Sequence, residues 1–92
     1  MTDQEPDWTV ELSRRALRDL RRLDPPIRAC VLDAIQGLKF DPPVGDITRM
    51  VGITPPDWRL RVGDWRVRFE RDVDAHTIQV LRVLPRGRAY RD

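Results

Sequence analysis

Apolar residues recur along this chain with two periods, and each change of period marks a new element. Trp8, Val10 and Leu12 alternate with Thr9 and Glu11, which predicts a short strand after an irregular start. Ser13 follows as a helix N-cap. In RRALRDLRRL the positions Ala16, Leu17, Leu20 and Leu23 form one apolar stripe with arginines over the rest of the surface, so an amphipathic helix of about three turns is expected. Asp24-Pro25-Pro26 stops it and starts the next helix, with Asp24 as N-cap and Pro25 at the first helical position. Ile27, Val31, Ala34 and Leu38 then repeat at helical spacing with Cys30 and Ile35 beside them, which predicts Cys30 as a small core residue. Asp41-Pro42-Pro43 ends this helix. A loop is expected next, in which Ile47, Met50 and Val51 pack, Gly52 turns, and Pro55-Pro56 stiffens the approach to the following segment.

That segment, WRLRVGDWRVRFERD from Trp58 to Asp72, returns to a period of two on both sides of Gly63-Asp64. A two-residue loop with glycine first suits a type II′ hairpin turn. The register follows from the turn: Val62 faces Trp65, Arg61 faces Arg66, Leu60 faces Val67, Arg59 faces Arg68 and Trp58 faces Phe69. One face is wholly apolar and the other carries Arg59, Arg61, Arg66 and Arg68. Like charges directly opposite each other destabilise a sheet. Acidic groups or an anionic ligand must therefore neutralise this face, and Glu70, Asp64 and Asp72 are the acids within reach by sequence.

After the polar turn DVDAHT, the run IQVLRVL is dense in β-branched and aliphatic residues, as in a strand buried on both faces. The tail PRGRAYRD is basic and aromatic. No repeat or linker divides the chain, so residues 1–92 are expected to form one domain. The expected class is α+β, with two N-terminal helices packed on one face of a small, mostly antiparallel four-stranded sheet. The helices should cover the Trp58, Leu60, Val67 and Phe69 face and leave the arginine face open, with Arg86 and Arg88 arriving from the end of the last strand.

Composition changes this picture in two places. Residues 1–46 carry 7 basic and 9 acidic side chains, a net −2, whereas residues 47–92 carry 10 and 6, a net +4, so the basic half is the one with the hairpin. An anionic partner is implied. Cys30 is the only cysteine and His76 the only histidine, which excludes a disulfide framework and a standard structural zinc site. The acidic N-terminus is unlike a signal peptide and no apolar run approaches a membrane span, so a cytoplasmic chain without a membrane partner is expected.

Three occupants suit an open arginine face: a polynucleotide backbone, an acidic protein segment, or solvent with neighbouring acids folded over it. Planar guanidinium groups on a rigid sheet favour the first, because they bind phosphate oxygens bidentately at fixed spacing. No Ser-His-Asp set, phosphate-binding glycine loop or metal-ligand cluster is present, and His76 is expected to be a solvated turn residue. An arginine array with Tyr90 can still cleave RNA, because the nucleophile is the substrate's own 2′-hydroxyl. The protein then has to orient the backbone, stabilise transition-state charge and manage two protons.

The order ALRDLRRL, DPP, RMVG, WRLRVGDWRVRFERD and VLRVLPRGRAY resembles the RelE-type toxins of the RelE/ParE superfamily of bacterial toxin-antitoxin systems, over about Trp8 to Arg91. The resemblance implies a ribosome-dependent endoribonuclease acting on messenger RNA without metal or other cofactor, and held inactive by a cognate antitoxin. By position it implies that Arg59 and Arg61 bind the scissile phosphate, Arg66 stabilises the transition state, Arg86 is the basic residue ending the last strand, and Tyr90 stacks on a base or assists proton transfer. Arg68 and Arg88 are expected to bind RNA, Arg88 also being a possible substitute for Arg86. Many relatives have a histidine where this chain has Pro85, so the general acid and base stay unassigned. The ParE branch of the same superfamily implies a different activity, inhibition of DNA gyrase by protein contact without a nuclease site.

Overall fold

The structure, a computed structural model, describes residues 7–50, 52 and 57–87. Within them the chain runs β1 (Thr9–Leu12), α1 (Arg14–Arg21), α2 (Pro25–Gln36), a 3₁₀ turn (Gly37–Lys39), β2 (Asp46–Met50), β3 (Asp57–Val62), β4 (Trp65–Asp72) and β5 (Thr77–Pro85). The strands form one sheet in the order β1-β5-β4-β3-β2, antiparallel throughout except for the parallel pair β1 and β5. This is the expected α+β arrangement with five strands in place of four.

The additional strand, β2, was expected to be a loop. It lies at the sheet edge, where Asp46, Thr48 and Arg49 are exposed and only Ile47 and Met50 are apolar, so its own composition is a weak strand signal. Its partner fixes it. Ile47 sits opposite Leu60, Thr48 opposite Arg59 and Asp46 opposite Arg61, which places polar β2 residues against the arginines of β3. Val51, Pro55 and Pro56, expected in the same loop, lie outside the described residues, as do the first six residues and the tail from Arg88 onward.

Ser13 caps α1 as expected. Its hydroxyl accepts from the Ala16 N–H at 3.0 Å and donates to the Leu81 carbonyl at 2.8 Å, so one side chain both starts the helix and ties it to β5. Asp24 holds the N-cap position of α2 without a side-chain cap bond, and Pro26 at the second helical position has no N–H to donate. At the other end of α1, the Arg28 guanidinium donates to the carbonyls of Leu20 and Leu23, both at 2.9 Å, and occupies acceptors that a helix end leaves open.

One core results. Ala16, Leu20 and Leu23 from the first helical segment and Val31, Ile35 and Leu38 from the second close over Leu60, Val67, Phe69, Ile78, Val80 and Val83 of the sheet. Both helices thus cover the face opposite the hairpin arginines. Cys30, expected inside, is exposed. It sits about 100° round the helix from Val31, which takes the inward position, and it opens beside Ile27 and Trp65 near the hairpin turn.

No residue of β5 is exposed, in keeping with its central position and its expected burial. Arg68 pairs with Arg82 but Phe69 pairs with Val80, so Leu81 is an extra residue and β5 bulges there. Asp19, the inward-facing acid of α1, secures the strand just beyond the bulge by accepting from Arg82 Nε at 2.9 Å and from the Val83 N–H at 2.8 Å. No helix among the described residues is long and apolar enough to cross a membrane.

Candidate functional site

The hairpin has the register read from its turn: Val62 opposite Trp65, Arg61 opposite Arg66, Leu60 opposite Val67, Arg59 opposite Arg68 and Trp58 opposite Phe69. Gly63 has φ +58°, the sign a type II′ turn requires at its first central position. Leu60, Val67 and Phe69 are buried on the helix side and the four arginines project from the other side.

That arginine face is less open than the sequence suggests. Arg59 is only 6% exposed, and its Nη2 donates to Asp57 Oδ2 at 3.1 Å. The same oxygen lies 3.4 Å from Arg68 Nη2. A buried guanidinium is costly unless paired. Asp57 meets that need because it lies two residues before Arg59 on β3 and so points to the same face. Glu70, Asp64 and Asp72 are the acids expected to screen this face; among the described residues, the carboxylates in ion pairs with these arginines are Asp57 and Asp46. Asp72 instead accepts from the Ala75 N–H at 3.1 Å and shapes the β4–β5 turn.

Arg61 and Arg66 form the accessible part of the face. Arg61 is exposed and lies 3.7 Å from Asp46 of β2. Arg66 Nη1 donates to the carbonyls of Gly63 at 3.0 Å and Trp65 at 2.9 Å, so the hairpin turn holds its guanidinium in place. Together with Arg59, Thr48 and Met50 they line a concavity of about 190 Å³. Asp46 is the one carboxylate among the described residues that line it.

The fold therefore brings Arg59, Arg61, Arg66 and Arg68 together. Arg86 comes near them: it is exposed, and its backbone N–H donates to the Asp64 carbonyl at 2.7 Å, which pins the end of β5 against the hairpin turn. Arg88 and Tyr90 lie outside the described residues. His76 takes no part in this site. It sits at the opposite end of β4 with φ +49°, and its ring stacks on Trp8 at 4.8 Å, so it is a packed turn residue as well as a solvated one. The β2 contributions, Asp46 and Thr48, and the buried Asp57 were missed from sequence. The alternation of Asp46, Thr48 and Met50 against Ile47 and Arg49, and the two-residue offset between Asp57 and Arg59, are the signals that point to them.

Fold and site define a small α+β scaffold that presents arginines from a rigid hairpin, supported by acids from the same strand and its edge neighbour. The family model for the ParE toxin of the type II toxin-antitoxin system parDE matches residues 10–90. The chain belongs to this family and is a toxin of a type II toxin-antitoxin system within the RelE/ParE superfamily. Its structure is similar to a chain of the archaeal RelE–RelB complex from Pyrococcus horikoshii, with TM-score 0.76 and 23% identity over 89% of this chain and 98% of that one. It is also similar to a chain of the RelBE2 toxin-antitoxin complex of Mycobacterium tuberculosis, with TM-score 0.70 and 30% identity over 87% and 99% of the two chains. For the RelB–RelE complex of Methanococcus jannaschii the TM-score is 0.65 and the identity 26%, over 87% and 94%. No curated protein matches the chain.

Proposed function

We propose that this toxin cleaves messenger RNA on the ribosome, in the cytoplasm, and so arrests translation. The observation that carries this reading is the facing pair Arg61 and Arg66 at the mouth of a concavity whose floor includes Arg59. A phosphodiester entering there exchanges Asp46 for its own oxygens at Arg61. The 2′-oxygen attacks the adjacent phosphorus in line, the bond from phosphorus to the 5′-oxygen breaks, and the products end in a 2′,3′-cyclic phosphate and a 5′-hydroxyl. Arg66, fixed by two turn carbonyls, meets the added negative charge of the transition state without reorganising. Asp46, which lines the same concavity, is assigned the 2′-hydroxyl proton. Arg86, beside the turn, is assigned to the departing strand, Tyr90 to base stacking or delivery of a proton to the 5′-oxygen, and Arg68 and Arg88 to the RNA backbone.

Arg59 and Arg68 have a further role. Their shared carboxylate, Asp57, fixes two of the four hairpin charges against the sheet, so that Arg61 and Arg66 meet the scissile phosphate and half-buried Arg68 faces the flanking backbone. A cognate antitoxin is the regulatory partner, in keeping with the toxin-antitoxin complexes in which the similar chains are found.

A second reading, inhibition of DNA gyrase by protein contact, is favoured by the ParE family match and by the burial of Arg59 in an ion pair. Primer extension on messenger RNA from cells briefly expressing the chain separates the two. In-frame cuts within translated regions, absent with Arg66→Ala, support the nuclease. Intact messages with damaged DNA support gyrase inhibition, and the arginine face then becomes a protein-binding surface.

A further inference from the structure

The hairpin is not the only cationic surface. Arg14, Arg15, Arg18, Arg21 and Arg22 all lie within or directly after α1, and all are exposed. Among the described residues none of the five takes part in an ion pair. The one acid of the helix, Asp19, faces inward and is engaged by Arg82 and Val83. Arg14, Arg18 and Arg21 follow the spacing i, i+4, i+7 and share one stripe that climbs about 10 Å along the axis.

This placement opposes folding. The first turn of α1 contains no acid and carries Arg14 and Arg15 at the positive end of the helix dipole. Arg14 with Arg18, Arg18 with Arg21, and Arg18 with Arg22 are like-charge neighbours on the helix surface, each unfavourable. A merely solvated face has no need of such an arrangement, since glutamate or lysine-glutamate alternation would stabilise the helix. A surface that meets a row of phosphates does need it. Because both helices cover the sheet face opposite the hairpin arginines, the α1 stripe cannot share a phosphodiester with the candidate site.

We infer that α1 is a second polyanion-docking surface, which grips the backbone of structured RNA through Arg14, Arg18 and Arg21 while the hairpin side engages the strand to be cut. The choice of RNA rests on the proposed function; the cationic stripe does not. The test is binding of a fluorescent 20-base-pair RNA duplex, followed by anisotropy over a salt series, for the parent chain, Arg49→Glu, and the triple variant Arg14→Glu, Arg18→Glu, Arg21→Glu.

The triple variant should bind at least roughly tenfold more weakly, with a salt slope shallower by up to about 3, because each neutralised phosphate contributes close to 0.9. Arg49→Glu should bind within about twofold of the parent, since Arg49 is exposed on the edge strand β2, away from α1. The triple variant should also melt no lower than the parent, which separates lost binding from lost folding. Parent-like RNA binding by the triple variant overturns the inference, as does lost affinity for the cognate antitoxin with RNA binding intact, which assigns the stripe to an acidic protein. Failure of the nuclease reading looks different: messages stay uncut in cells although duplex binding depends on α1.

Discussion

Replacing Asp57 by asparagine tests how the hairpin tolerates facing arginines. The substitution keeps the side-chain volume and removes a carboxylate charge that lies 3.1 Å from Arg59 and 3.4 Å from Arg68. Arg59 is 6% exposed and Asp57 7%, so solvent screens this interaction little. Removing one partner of a buried pair costs about 3–5 kcal/mol. The low end applies here, about 3 kcal/mol, because the asparagine oxygen still accepts a hydrogen bond from Arg59. For a chain of this size each kcal/mol moves the melting temperature by about 4–8 °C, so a drop of at least roughly 12 °C is expected by circular dichroism. Two controls identify the cause. Sulfate should recover part of the loss by binding the exposed cations, and Arg59→Leu added to Asp57→Asn should recover more by removing the buried charge that Asp57 faces. Asp57→Asn within about 0.5 kcal/mol of the parent in urea titration would refute the reasoning, because the arginine face would then need no internal counter-charge.

Further outcomes follow from the same geometry. Asp19→Ala should destabilise the fold by about 3 kcal/mol, read from denaturant midpoints, since it removes the acceptor for Arg82 and for the buried Val83 N–H at the β5 bulge. Gly63→Val should cost about 1–2 kcal/mol through backbone conformation alone, because a Cβ there meets nothing within 4 Å; an unchanged melting temperature would contradict the turn assignment. Cys30 should react with a water-soluble thiol reagent at one equivalent per native chain, whereas a core position would react only after denaturation. Asp46→Asn should lower message cleavage by roughly 10²-fold or more with little change in stability, as expected when an exposed general base is lost; undiminished cleavage would remove Asp46 from the mechanism.

The hairpin was legible because three local signals agreed: alternation on both sides, a two-residue loop, and glycine at its first position. Once the turn is set, the partner of every residue from Trp58 to Phe69 follows by counting. The helices were legible for the same reason, through Ser13, the paired prolines and a clear apolar stripe. The fifth strand was not, because an edge strand answers to its neighbour: Asp46 and Thr48 look like loop residues until Arg61 and Arg59 lie across from them. The partial closure of the arginine face was hidden by the same break in local information. Asp57 follows two prolines and reads as the end of a turn, yet it is the first residue of β3 and lies under Arg59. Cys30 shows the limit of periodicity, since a residue flanking an apolar stripe turns inward or outward according to a few tens of degrees of helix rotation.

Transesterification on RNA is the reaction proposed for the concavity between β2 and the hairpin. The most direct measurement is a reconstituted cleavage reaction with purified ribosomes, a short labelled message and the toxin in excess EDTA-treated buffer restored only with the magnesium that ribosomes require. Products are then analysed at both new ends. The parent chain should form 2′,3′-cyclic phosphate and 5′-hydroxyl termini, strongly reduced by Arg61→Ala or Arg66→Ala and absent when the nucleotide before the cut carries a 2′-deoxy sugar. A message that survives intact under these conditions, while the same preparation blocks supercoiling by purified gyrase, would contradict this assignment.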